Sequence, residues 1–257
     1  MQLTILGSGT SFGVPVIGCA CAVCTSSDPR DRRTRVSAVI ESDAGTRLLI
    51  DTPPEMRLQL TRAGIPAVDA VLYTHDHADH IHGIDDLRVL SVRGGRLPVY
   101  GPAETLERIA HRFNYIFDET VLAPPGTSKP ELVPIPLTAG EPVDIAGMVV
   151  LPLAFEHGAT TVFGYRVGEA AYVTDVKTVP AEAIGRLHGV RVLVLNALFE
   201  RPHPTHLSIP EAIEVARAVG AERTILTHLT HKVSHVDLAA RLPEGIEPAY
   251  DGLCVAF

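Results

Sequence analysis

The chain has no tryptophan, only three methionines, and no excess of basic residues. Thirty acidic residues stand against 22 basic ones, a net charge of −8. A protein that grips long nucleic acid through its phosphates normally carries a basic face, so a long duplex is not an expected partner. A small anionic ligand remains compatible, because bound metals would supply local positive charge. No apolar run approaches the length of a bilayer span, and no membrane partner is expected. The segment Met1-Gln2-Leu3-Thr4-Ile5-Leu6-Gly7 lacks a basic start and a long apolar stretch, so no secretory signal is expected and the cytoplasm is the expected compartment. Cysteines are scarce, four in 257 residues. A disulfide framework is not expected there, and the thiols become candidates for metal or redox chemistry.

What is present suits one large domain over residues 1–257, with 46% hydrophobic residues to build its core. Apolar runs at 36–40, 47–50, 70–73 and 190–195 read as strands. Helices are expected from Pro54 to a Gly64 stop, and from a Ser208 cap to a Gly220 stop. Strands, helices and hairpins alternate, which implies sheets covered by helices. Residues 118–142 are Pro-rich and read as an irregular surface flap. Residues 30–35 read as a solvated basic patch, Cys254 as core, and the glycines of 7–13 as a tight turn rather than a nucleotide loop.

One stretch organises the rest: Thr74-His75-Asp76-His77-Ala78-Asp79-His80. It follows a predicted buried strand. Alternate residues of an extended segment point the same way, so His75 and His77 can grip one metal ion. After a turn, Asp79 and His80 can face a second. Imidazole and carboxylate suit Zn, Mn or Fe. Further along, His157, Asp175 and His228 each stand just past a predicted strand. Strand ends gather along one sheet edge, where α/β sites usually lie.

Cys19-Ala20-Cys21-Ala22-Val23-Cys24 packs three of the four thiols into six residues. C-x-C-x-x-C supplies three zinc thiolates and needs one more ligand from elsewhere.

The H-x-H-x-D-H run at 75–80, followed by His157, Asp175 and His228, resembles the metallo-β-lactamase superfamily. The resemblance implies an α/β fold, an αβ/βα sandwich of two mixed sheets with helices outside. It implies that His75, His77 and His157 hold one divalent ion, that Asp79, His80 and His228 hold a second, and that Asp175 bridges them. The cysteine run and the T-H-x-x-H of residues 227–231 narrow the likeness to the PhnP-like phosphodiesterases of the carbon–phosphorus lyase pathway. There the implied structural zinc takes Cys19, Cys21, Cys24 and His231. The implied activity is hydrolysis of a small cyclic or linear phosphodiester by a hydroxide bridging the two ions. Asp79 and His206 are the catalytic candidates, His206 as proton donor to the leaving group, with His203 as the alternative. His82 is the one remaining histidine near enough to support the site.

Four rival readings are compatible with parts of this pattern. A tRNA 3′-end endonuclease of the same superfamily would carry a long flexible arm and a more basic face. A cofactor-biosynthesis protein resembling the pyrroloquinoline quinone B protein would share the cysteine site. A metal-binding scaffold without turnover would be expected to lack a ligand position, and none is missing. β-Lactam hydrolysis is disfavoured by Asp79 and by the absent export signal. A homodimer is the oligomer considered.

Overall fold

The computed structural model describes residues 1–257. The chain enters on β1 (Gln2–Gly7), then β2 (Ser37–Glu41), β3 (Arg47–Ile50), β4 (Ala70–Leu72), β5 (Leu97–Pro102) and β6 (Leu132–Leu137). It crosses to β7 (Val143–Ile145), β8 (Met148–His157), β9 (Thr160–Val167), β10 (Ala170–Val173), β11 (Val192–Asn196), β12 (Arg223–Thr227) and β13 (Ile246–Pro248). It returns on β14 (Cys254–Ala256). Two seven-stranded sheets result, in the orders β14-β1-β2-β3-β4-β5-β6 and β13-β12-β11-β10-β9-β8-β7. Both are mixed: β3 to β6 run parallel in the first, β10 to β13 in the second, and the rest pair antiparallel.

The sheets face each other across a shared core that joins Ile40, Ile50 and Leu72 of one to Tyr165, Val194 and Ile225 of the other. On the outer face of the first sheet lie α1 (Met56–Ala63), α2 (Ala78–Ile81), α3 (Arg88–Gly94), α4 (Ala103–Arg112) and α5 (Asn114–Phe117). On the second lie α6 (Ala181–Leu187), α7 (Ile209–Val219) and α8 (His235–Ala239). This is the αβ/βα sandwich expected from the sequence. Its central strands are apolar on both faces because both faces are covered.

Local chemistry sets the helix ends. The Ser208 hydroxyl accepts from the Glu211 N–H, and Glu211 Oε2 accepts from the Ser208 N–H at 2.8 Å, a reciprocal cap on α7. Gly64 and Gly220 close α1 and α7 in the left-handed region, at φ 67° and 71°. Gly7 and Gly9 serve close approach: a Cβ on either would fall 1.9 Å from the Arg35 carbonyl or 2.6 Å from that of Arg33.

Four local expectations need correcting. Pro54 lies in the turn before α1, not inside it. The 118–142 segment contains β6, hidden by Pro134 and Pro136. A spacing of two puts both missing N–H groups on one side, and β6 is an edge strand with one side open. Cys254 is exposed, its Sγ 3.4 Å from Thr4 Oγ1, because side chains alternate along β14 and the buried one is its neighbour Val255. Arg33 is fully buried rather than solvated. Its guanidinium meets Asp31 at 3.2 Å and donates to the carbonyls of Thr230 and Val233. Asp31 in turn accepts from the His235 N–H at 2.7 Å. Arg33 thus fastens the early loops to the 228–235 segment. Arg33→Ala leaves Asp31 buried without its countercharge and should lower stability by about 3–5 kcal/mol, read from chemical denaturation. A loss under about 1 kcal/mol would show that the pair is dispensable.

Candidate metal centre

Register delivers the site residues to one edge. Ile50 pairs with Leu72, so Asp51 and Thr74 emerge side by side. The Thr74 N–H and hydroxyl donate to Asp51 Oδ1 and Oδ2, each at 2.8 Å. Val173, Leu195 and Leu226 lie in register across β10, β11 and β12, so Asp175 and His228 emerge close together. The Asn196 amide holds the turn after Asp175 by accepting from the Val176 N–H at 2.9 Å and donating to the Val176 carbonyl at 3.2 Å. Asp51, Asp175 and His228 all adopt left-handed φ values, 60°, 57° and 61°. Each such backbone costs about 1–2 kcal/mol in a residue with a Cβ. Finding three at one strand edge marks a place where side-chain direction outweighs backbone comfort.

The ligand-type atoms of His75, His77 and His157 converge within 4.8 Å of one another, as do those of Asp79, His80 and His228. Asp175 stands between the groups: Oδ1 is 3.5 Å from His80 Nε2, and Oδ2 is 3.3 Å from His228 Nε2. It also converges with His75. Ring tautomers are set from behind. His80 Nδ1 donates to Asp51 at 2.7 Å, His157 Nδ1 to the Thr205 carbonyl at 2.8 Å, and His75 Nδ1 to Thr74 Oγ1 at 3.0 Å. That leaves each Nε2 facing inward as the position a metal would take. The Nε2 atoms of His75, His80 and His228 are buried and make no hydrogen bond within the protein. Buried nitrogens rarely stay unpaired, and aimed at a common centre they fit divalent ions.

Charge at the centre is strongly coupled. Burial holds His75 well below its usual value and also lowers His77 and His228. Burial opposes charge on Asp175, but His228, His80 and His75 outweigh it and hold the carboxyl well below the usual range. Burial likewise opposes charge on His80, yet Asp175, Asp79 and Asp51 together hold it well above the usual value. An ion must therefore displace a proton from His80. Apparent metal affinity should rise with pH through the His80 titration and level off above it. Competition with a chelator between about pH 6 and pH 8 measures this; an affinity flat across that range would contradict it.

His206 joins the cluster, its ring 4.6 Å from that of His157 and 4.7 Å from that of His228. Its Nδ1 lies 3.8 Å from Asp175 Oδ2. Burial, partly offset by Asp175, pushes it down to about 3. His203 lies one layer out, its ring 5.3 Å from His206 and its Nδ1 facing Thr205. His82 is exposed at the end of α2 and meets the Phe113 ring edge-on at 5.9 Å. Sequence reading passed over Asp51, Thr74 and Asn196. Asp51 was accessible by the rule that exposed the others, an acidic residue just past an apolar strand.

A second cluster lies behind the first. The sulfurs of Cys19, Cys21 and Cys24 are each 3.4 Å from His231 Nδ1. A tetrahedral ion with Zn–S near 2.3 Å and Zn–N near 2.0 Å gives sulfur–nitrogen separations of about 3.5 Å. The Val16 N–H donates to Cys24 Sγ at 3.3 Å. The Cys24 N–H, helped by the neighbouring thiols and His231 against burial, draws Cys21 down to about 6. These residues fit one zinc held between the first loop and the β12–α8 connection.

The β-lactamase superfamily domain matches over residues 46–229. The chain belongs to the metallo-β-lactamase superfamily. The donor clusters described above fit the divalent metals around which that fold is built. A solved structure of a diphosphatase from the PhnP family is 41% identical, with a TM-score of 0.91 over 100% of this chain and 97% of that one. An octanoyltransferase of Porphyromonas gingivalis is 41% identical over 255 residues, 98% of this chain and 51% of that protein. The chain thus spans about half the length of that relative. A ribonuclease Z of Methanopyrus kandleri is 30% identical over 80% of this chain and 84% of its own. A coenzyme PQQ synthesis protein B of Methylobacterium sp. is 30% identical over 76% and 72%. No helix is long and apolar enough to cross a membrane.

Proposed function

We propose that the protein hydrolyses a small substrate whose phosphorus carries two ester or anhydride links, a phosphodiester or a diphosphate. The observation that carries this reading is the set of inward Nε2 atoms, fixed by Asp51, Thr74 and Thr205, around Asp175. His75, His77 and His157 would hold one divalent ion, and Asp79, His80 and His228 a second, with Asp175 between. Bound there, such ions would acidify a water and draw charge from phosphoryl oxygens. Zinc, manganese and iron all suit this donor set. The similarity to a PhnP-family diphosphatase supports phosphorus as the centre attacked.

The leaving oxygen needs a proton, and His206 is assigned to supply it. Burial disfavours a proton on the free imidazole, and an incoming phosphate anion would favour one. His203, one ring further out, is the reserve donor. His206→Ala should lower kcat about 10²-fold on a diester with an alkoxide leaving group, and far less on bis-p-nitrophenyl phosphate, whose phenolate leaves unaided. Equal losses on both would remove His206 from the donor role.

The reading itself is tested by metal-loaded protein on bis-p-nitrophenyl phosphate and on nucleoside diphosphate esters. Metal-dependent release of product is expected. The ribonuclease Z relative supports a second reading, 3′-end cleavage of precursor tRNA, which the net charge of −8 disfavours. Cleavage of precursor tRNA with no activity on small diesters would favour it.

A further inference from the structure

The outer face of the first sheet is only partly covered near β14. Gln2, Thr4 and Leu6 of β1 share that face with Val39 and Glu41 of β2 and with Arg47 and Leu49 of β3. Leu6, Val39 and Leu49 pack beneath α1. Gln2, Glu41 and Arg47 stand at the other strand ends, away from the edge that carries Asp51, and are polar. There α1 stops at Gly64, and a cavity of about 720 Å³ opens over them. That size suits a small-molecule site.

Three arginines and two acids line this cavity. Both acids are engaged. Glu41 accepts from Arg47 at 2.8 and 3.3 Å. The Asp251 carboxylate accepts from the N–H and hydroxyl groups of Ser8 and Thr34 at 2.6 to 2.9 Å. Arg32, from the loop after Pro29, and Arg62, in the last turn of α1, are exposed and have no acidic partner. In a chain of net charge −8, two uncommitted guanidiniums over one cavity suit an anion.

A neutral group there also lacks a partner. Gln59 of α1 is 2% exposed and lines the same cavity. Its Nε2 donates to Thr34 Oγ1 and to the Arg35 carbonyl, each at 2.8 Å, which fixes the orientation of the amide. Oε1 is then a buried acceptor with no hydrogen bond. Buried polar atoms are rarely left so, and this one calls for an O–H or N–H donor.

We propose that this cavity is a second ligand site, separate from the metal centre. It takes a phosphate monoester that also carries hydroxyl or amino donors, the chemistry of a nucleoside monophosphate. The phosphate pairs with Arg32 and Arg62, and a donor of the sugar or base meets Gln59 Oε1.

Cys254 borders the cavity and is exposed, so its alkylation reports occupancy. Iodoacetamide labelling of the zinc-loaded full chain, read at the Cys254 peptide, should slow about tenfold in about 5 mM adenosine 5′-monophosphate. Sulfate, which has no donor to offer at neutral pH, should protect far less. Arg32→Ala and Arg62→Ala should each weaken nucleotide binding, measured by this protection, about tenfold. Arg217→Ala, at an exposed arginine of α7, should change nothing. Circular dichroism checks that each variant is folded. No turnover is needed, so the outcome is independent of whether the strand edge hydrolyses phosphorus esters. Labelling unaffected by about 5 mM nucleotide would overturn the proposal. So would protection that survives when Arg32→Ala and Arg62→Ala are combined, or sulfate protecting as well as the nucleotide.

Discussion

Asp175→Asn should lower the hydrolysis rate by on the order of 10³-fold, beyond the 10–100-fold typical of losing an outer hydrogen-bond partner. The substitution keeps side-chain shape and tolerates the left-handed backbone at this position. It removes the negative charge that faces His80 at 3.5 Å and His228 at 3.3 Å. Without that charge, two cations bound side by side there would lose their common counter-ion and repel one another with less relief. Metal content should fall together with rate, while circular dichroism and the melting transition show a folded chain. A variant that keeps both its full metal content and more than about a tenth of its activity would show that Asp175 is not shared between ions.

The second large effect is at the other cluster. Cys21→Ser should lose about one metal ion per chain and keep the pair at the strand edge. Three sulfurs equidistant from His231 Nδ1 leave no ligand to spare. An ion present at about a thousand times its dissociation constant contributes about 4 kcal/mol of stability, and the melting temperature should fall accordingly. The rate should fall much less than in Asp175→Asn. Some loss is expected all the same, because His231 and His228 share a loop whose Leu229 N–H donates to the Ser8 carbonyl at 3.0 Å. Unchanged metal content in Cys21→Ser would mean that the thiols hold no ion.

The sandwich and the site differed in how far they could be read in advance. Dense chemistry was plain: three histidines and two aspartates in residues 75–80 admit few other uses. His157, Asp175 and His228 were legible because each follows an apolar run, and a run that ends in a polar residue marks where a strand leaves the core. Asp51 obeys the same rule, yet as a lone aspartate after Ile50 it resembles any strand terminus. Only the pairing of Ile50 with Leu72 shows that it stands behind His80. Arg33 was misread because a run of basic residues is normally solvated. Its burial depends on Asp31 and on carbonyls some 200 positions away in sequence, at Thr230 and Val233. β6 was missed because proline ordinarily breaks strands, and its tolerance here depends on β6 lying at an edge. What was lost in each case was a non-local partner.

Two ions are proposed to occupy the strand edge on either side of Asp175. Anomalous diffraction from crystals of metal-loaded protein, recorded above and below the absorption edge, tests it most directly. Two peaks about 3.5–4 Å apart are expected, one within bonding distance of His75, His77 and His157 and the other of Asp79, His80 and His228. A single peak confined to Cys19, Cys21, Cys24 and His231, with none beside Asp175, would contradict it.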